Sequence, residues 1–146
     1  MTAPANHQNK ALVRDYYAAW DAGDSDAIAA FFADDFTTTY TDWAGSDVRV
    51  ESAGVHDWIT GWLDVIAEMT HEIHELVAEA DQVMAHVTYR GVHAGTVHGI
   101  EPTGKTVEVE EYLRFRIDDD KIVELDWLSD ELALIRQLGI DLPIDD

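Results

Sequence analysis

The stretch Gly91–Trp127, GVHAGTVHGIEPTGKTVEVEEYLRFRIDDDKIVELDW, confines its second half to one kind of structure. From Thr106 the apolar residues recur at every second position. Successive side chains of a strand point to opposite faces. Val107, Val109, Leu113, Phe115 and Ile117 therefore share one face, and Glu108, Glu110, Arg114 and Arg116 the other. No helix puts those two sets on separate sides. Asp118–Asp120 is a tight acidic turn, and Lys121–Leu128 alternates again. Upstream, Thr70–Glu79 and Gln82–Val92 alternate in the same way. Four strands at about 70–79, 82–92, 106–117 and 121–128 are expected, in an antiparallel or mixed sheet.

The first part of the chain has a different period. Leu12, Val13, Tyr16, Tyr17 and Trp20 follow helical spacing from Asn9 onward, and Gly23 is a stop. Asp24 or Ser25 caps a short second helix with Ile28, Phe31 and Phe32. Phe36–Tyr40 is rich in threonine and β-like, and Thr41–Ala53 reads as irregular. A third helix follows Gly54, with Val55, Trp58, Ile59, Trp62, Leu63 and Ile66 on one face. Ser129 is placed to cap a last helix that ends at Gly139. Helices first and antiparallel strands afterwards give the class α+β: a curved sheet packed over N-terminal helices, enclosing a pocket. The expected organisation is one domain over residues 1–146, with residues 1–8 frayed.

Charge limits the partners. The chain carries 30 Asp and Glu against 9 Lys and Arg, a formal net charge of −21. It should repel nucleic-acid phosphates and anionic membranes. Disorder is excluded by five Trp, five Tyr and four Phe, which supply a core. Acids spread along the whole length read as adaptation to high salt, where self-repulsion is screened. There is no apolar run of about 18 residues, so no membrane span is expected. MTAPANHQNK lacks the apolar segment of a signal peptide, which predicts a cytoplasmic protein. The absence of cysteine rules out disulfides and thiolate chemistry.

Several short pieces occur in one order: A-G-D at Ala22–Asp24, F-A-D-D-F at Phe32–Phe36, G-x-H-x-G at Gly91–Gly95, G-I-x-P-T-G at Gly99–Gly104, F-R-I before D-K-I-V-E, and Q-L-G at Gln137–Gly139. Together they resemble the SnoaL-like polyketide cyclases, within the superfamily named after nuclear transport factor 2. The resemblance implies a cone-shaped sheet around a pocket. It also implies ring closure by an intramolecular aldol reaction, without metal or organic cofactor. Three positions depart from the family. Its acid–base aspartate on the last strand falls at Trp127, one residue after Asp126. Its polar partner falls at Leu113, and an early asparagine at Thr38.

Glu111 is the leading candidate for chemistry. Parity puts it on the apolar face of its strand, where a carboxylate is costly unless it is hydrogen bonded or neutral. Burial would raise its pKa and suit it to proton transfer. His93, the histidine of G-x-H-x-G, is a candidate helper or a structural hydrogen bonder. Tyr17, Trp20, Trp58, Trp62, Leu113 and Trp127 are the expected pocket residues. His98 and Glu101 are placed at its mouth. Asp126 should face away unless a bulge shifts the register. The run HEIHE at His71–Glu75 is not a helical metal motif, because alternation sends His71 and His74 to opposite faces; no metal is expected.

These observations predict a protein that binds a small apolar or aromatic molecule. If it is an enzyme, it performs cofactor-free cyclisation, isomerisation or hydrolysis with Glu111 as acid–base. The alternative is a non-catalytic ligand-binding or dimerisation module of the same fold. His86, Thr88, Arg90, Arg114 and Arg116 on the outer sheet face predict a homodimer in which the arginines meet acids of the partner.

Overall fold

The computed structural model describes residues 3–42 and 45–143. Helix α1 spans Ala3–Ala22 and begins six residues before the apolar spacing alone suggests. Its buried stripe is Val13, Tyr16, Tyr17 and Trp20. Gly23, at φ 67°, ends it in the left-handed region that glycine enters without strain. Helix α2, Ser25–Ala29, is capped by Asp24, whose carboxylate accepts the Ala27 N–H at 3.1 Å.

Strand β1 covers Phe32–Thr41, longer than expected. The segment read as irregular contains strand β2, Asp47–Glu51, paired antiparallel with β1. Its alternation is too short and polar to stand out. Helix α3, Val55–Val65, runs directly into β3, Ile66–Glu79. Strands β4 (Gln82–His93), β5 (Thr106–Asp118) and β6 (Lys121–Ser129) follow, and helix α4 covers Glu131–Gln137. The N-cap of α4 is Asp130, which accepts the Ala133 N–H at 3.0 Å. Ser129, the expected cap, is instead the last residue of β6, and its hydroxyl serves Glu111.

The six strands form one mixed sheet in the order β2-β1-β6-β5-β4-β3. All neighbours are antiparallel except β1 and β6, which are parallel. The sheet's inner face packs on α1 and α3, with Val83, Val87, Val107, Phe115, Ile122 and Leu125 completely or almost completely buried. The acidic turn after β5 places Asp119 and Asp120 at φ 49° and 57°, a pair of left-handed residues that matches the twist of a two-residue hairpin.

Bulges bend this sheet into a cone. In β3 the register slips between Ala67 and Thr70, where Glu68 has φ 55°, and again between Ile73 and Glu75. Gly91 lies opposite the first bend. A Cβ there would sit 2.4 Å from Ile66 Cγ2 and 2.8 Å from the Ala67 carbonyl, so only glycine lets β3 approach β4. A third slip, between Arg116 and Ile117, displaces Val123 from the core face and buries Ile122 instead. Strict alternation over Lys121–Leu128 would put Val123, Leu125 and Trp127 on the core face, and the slip corrects that expectation at Val123. No described helix is long and apolar enough to cross a membrane.

Candidate functional site

The bend of β3 and the cover of α1 and α3 leave a cavity of about 80 Å³ on the inner face of the sheet. Its wall is aromatic: Tyr16, Tyr17 and Trp20 from α1, Trp58 and Trp62 from α3, Tyr89 from β4 and Trp127 from β6. Leu113 pairs across strands with Trp127, and both line the cavity. The rings pack edge-on or tilted, as in Trp20–Trp58 at 6.2 Å and Trp58–Trp127 at 5.5 Å. An outer cleft of about 730 Å³ adjoins the cavity and shares Trp58, Trp62, Trp127, Ser129 and Glu131 with it.

Glu111 stands in this aromatic wall. It pairs with Val87 on one side and Ser129 on the other, and the Ser129 hydroxyl donates to its carboxylate. Burial pushes its pKa from 4.5 to about 7. The Ser129 hydrogen bond works against that rise, and the charge of Glu131 adds to it. A carboxyl group with such a pKa exchanges protons readily near neutrality.

A second titratable group lines the same cavity. His71 Nδ1 lies 2.8 Å from the Asp21 carboxylate, and the imidazole side chain is only 5% exposed. Its ring packs on Tyr17 at 4.8 Å and on Trp20 at 6.3 Å. Desolvation lowers its pKa, against the opposing pull of the Asp21 hydrogen bond and charge. A carboxylate only accepts, so Asp21 fixes the proton on Nδ1 and leaves Nε2 as the basic nitrogen. Sequence reasoning met His71 only as part of HEIHE. Its partner lies 50 residues away on α1, a distance no local pattern spans.

Two donors in the wall are unspent. Among the described residues, the buried Tyr17 hydroxyl and Trp58 Nε1 have no hydrogen-bond partner. Buried polar groups are nearly always satisfied, so such donors in a cavity wall suit an acceptor on a bound molecule. Burial raises the pKa of Tyr16, Tyr17 and Tyr89 and keeps their hydroxyls protonated.

The remaining candidates lie elsewhere. His93 is fully buried but does not line the cavity; its Nδ1 meets the Thr103 hydroxyl at 3.0 Å and the Thr103 N–H at 3.2 Å. It ties the Thr103–Lys105 segment to the end of β4, where its backbone bonds Gly104 and Lys105 as well. Asp126 points outward and holds Arg114 through contacts of 2.5 and 2.9 Å. His98 lines the outer cleft, 3.4 Å from Glu131, whereas Glu101 is exposed. Thr38 is buried and donates to the Leu125 carbonyl at 2.5 Å, a structural bond between β1 and β6.

Residues 10–138 match the family model described as SnoaL-like polyketide cyclase. Solved structures agree with that match. AclR from Streptomyces galilaeus is 28% identical with a TM-score of 0.80, over 94% of this chain and 86% of AclR. TsrD from Streptomyces laurentii is 24% identical with a TM-score of 0.77, over 95% of this chain and 98% of TsrD. IdmH from Streptomyces antibioticus is 23% identical with a TM-score of 0.75, over 92% of this chain and all of IdmH (100%). At those last two identities the likeness is one of fold.

Proposed function

The chain belongs to the SnoaL-like polyketide cyclase family, and from that premise we propose that it binds a small aromatic or apolar carbonyl compound and moves protons on it without a cofactor. The observation that carries this reading is Glu111, a carboxyl group with a pKa near neutrality inside an aromatic cavity. The inner chamber takes one end of such a molecule, and the adjoining cleft takes the rest.

The chemistry follows from the side chains. Ionised Glu111 removes a proton from the carbon next to a carbonyl, and the electron pair moves to the carbonyl oxygen. The Tyr17 hydroxyl and Trp58 N–H donate to that oxyanion as it forms. The enolate carbon then attacks a second carbonyl of the same molecule. The new alkoxide takes that proton back from protonated Glu111, and the ring closes with no atom gained or lost. Reprotonation without attack gives an isomerisation instead. Desolvation by the seven tryptophan and tyrosine rings of the wall strengthens each of these interactions.

A second reading rests on Leu113 and Trp127. They occupy the positions where the family resemblance places an acid–base pair, and they narrow the cavity; a ligand-binding module needs nothing more. The two readings separate in one assay. A panel of aryl ketones and β-keto esters is incubated with the protein in D₂O, and exchange at the α-carbon is followed by NMR alongside quenching of tryptophan fluorescence. Exchange with quenching is the expected result. Quenching without exchange supports the binding module, and neither signal overturns the site.

We also propose a homodimer through the outer sheet face, on altered grounds. The arginines there already have partners within the chain: Arg90 with Glu108, Arg114 with Glu124 and Asp126, Arg116 with Asp81 and Glu124. Beside them the face exposes large apolar side chains. Val77, Met84, Tyr112 and Leu128 are 55%, 50%, 55% and 76% exposed, and Tyr112 pairs with Leu128. Sedimentation in molar KCl should give twice the chain mass of 16.3 kDa. Leu128→Glu should return it to the monomer; a wild-type protein that sediments only as the monomer would end this proposal.

A further inference from the structure

The outer sheet face carries a cluster that the cavity chemistry does not use. His74 on β3, His86 on β4 and Glu110 on β5 each bring one ligating atom to within 4.8 Å of the others. His86 Nε2 lies 3.0 Å from a Glu110 carboxylate oxygen, and the two imidazole rings are 4.6 Å apart. His86 is stacked on its other side against Tyr112, at 4.4 Å and 5°. The opposite edge of His74 is held by the Thr88 hydroxyl, 2.7 Å from Nε2.

The backbone brings these groups together by an irregularity. The β3–β4 register slips between Ile73 and Glu75, so His74 is the extra residue of a bulge. Ile73 and Leu76 still pack on the core, and both His74 and Glu75 face outward. A bulge commonly re-aims a side chain in this way. It sets one imidazole over another on a strand at the edge of the sheet. Two imidazolium ions in that position would repel; two neutral imidazoles sharing a cation with a carboxylate would not.

We propose that His74, His86 and Glu110 form a binding site for a borderline divalent ion such as Zn²⁺. Two nitrogens and one oxygen suit that ion, which takes imidazole and carboxylate at about 2.0–2.2 Å. The ligand atoms would close by rotamer adjustments of side chains that are 33%, 26% and 59% exposed. Mg²⁺ and Ca²⁺ prefer all-oxygen shells and would not select the pair of histidines. The Thr88 hydroxyl would orient His74 from behind, in the place a carboxylate, carbonyl or water takes for most metal-bound histidines. The ion would pin the edge strand β3 to β4 and β5.

The test uses tag-free full-length protein, stripped with chelator and titrated calorimetrically with ZnCl₂ in KCl containing excess Mg²⁺. One ion per chain is expected. His86→Ala and Glu110→Gln should each weaken binding about tenfold or more, and His56→Ala, whose imidazole is 3.1 Å from Asp26 elsewhere, should not. Glu110→Gln preserves the size of an exposed side chain, so it remains informative if His86→Ala misfolds. Absence of saturable binding, suppression by Mg²⁺, or equal affinity in Glu110→Gln and wild type would overturn the site.

Discussion

Glu111→Gln is expected to make the protein more stable at pH 8.5 than the wild type while removing its proton-transfer activity. The sign follows from the direction of the shift. Unfolded, the carboxyl titrates near 4.5; folded, near 7. Between those values the folded chain holds a proton that the unfolded chain has released, so this group's contribution to stability falls as pH rises. Below about pH 4.5 both states are protonated and Glu111 costs nothing. Above about pH 7 both are ionised, and the full penalty of a buried charge is present. A shift from 4.5 to about 7 corresponds to roughly 3 kcal/mol. Glutamine is always neutral and can still accept the Ser129 hydroxyl. Its melting temperature should exceed the wild-type value by several degrees, up to about 10 °C, at pH 8.5, and should match it near pH 4.5. Activity should fall by about 10²–10⁴-fold, the usual contribution of one general base. A difference in stability that does not change with pH would show that Glu111 is hydrated. Turnover unchanged in the variant would remove it from the mechanism.

Raising KCl from 0.1 M to 2 M should increase the melting temperature by about 10 °C or more. The chain has 30 acids and only 9 Lys and Arg, so most carboxylates have no cationic partner. The structure puts them outside. Asp34, Asp35, Asp118, Asp119, Asp120, Glu72, Glu75 and Glu79 are all exposed. At 0.1 M the screening distance is about 10 Å, long enough for neighbouring acids on one face to repel; at 1 M it is about 3 Å. Several kcal/mol of repulsion would then disappear, and each is worth about 2–4 °C in a domain of this size. Thermal melts at constant pH across the KCl series measure it. An unchanged midpoint would mean that the negative surface is already tolerated without salt, and the reading of salt adaptation would fail.

The apolar alternation of residues 106–128 carried the sheet, because a period of two fits no other backbone. The same parity put Glu111 indoors, since Val109 and Leu113 on either side of it can only face the core. Helical spacing likewise gave the buried stripe of α1, and glycine gave its end. Where parity is interrupted, the sequence carries no mark. Nothing in IVEL announces that Val123 is a bulge, and Asp47–Glu51 is too short and polar to declare itself a strand. The pairing of β1 with β6, parallel and separated by most of the chain, is equally silent, because hydrogen bonding between distant segments depends on the backbone alone.

The site divides along the same line. Its residue types were fixed by the sequence: tryptophan and tyrosine at helical spacing, a carboxylate at an inward strand position, and no thiol anywhere. Which of them meet was decided by tertiary structure. Asp21 reaches His71 only because α1 lies across β3, and Ser129 reaches Glu111 only because β6 pairs with β5 in one register. His93 shares the motif but not the cavity, since the end of β4 turns it toward Thr103. Periodicity determines the face a side chain takes. Its chemistry depends on partners from other elements and on the water they exclude, and those are set only when the sheet bends and the helices close over it.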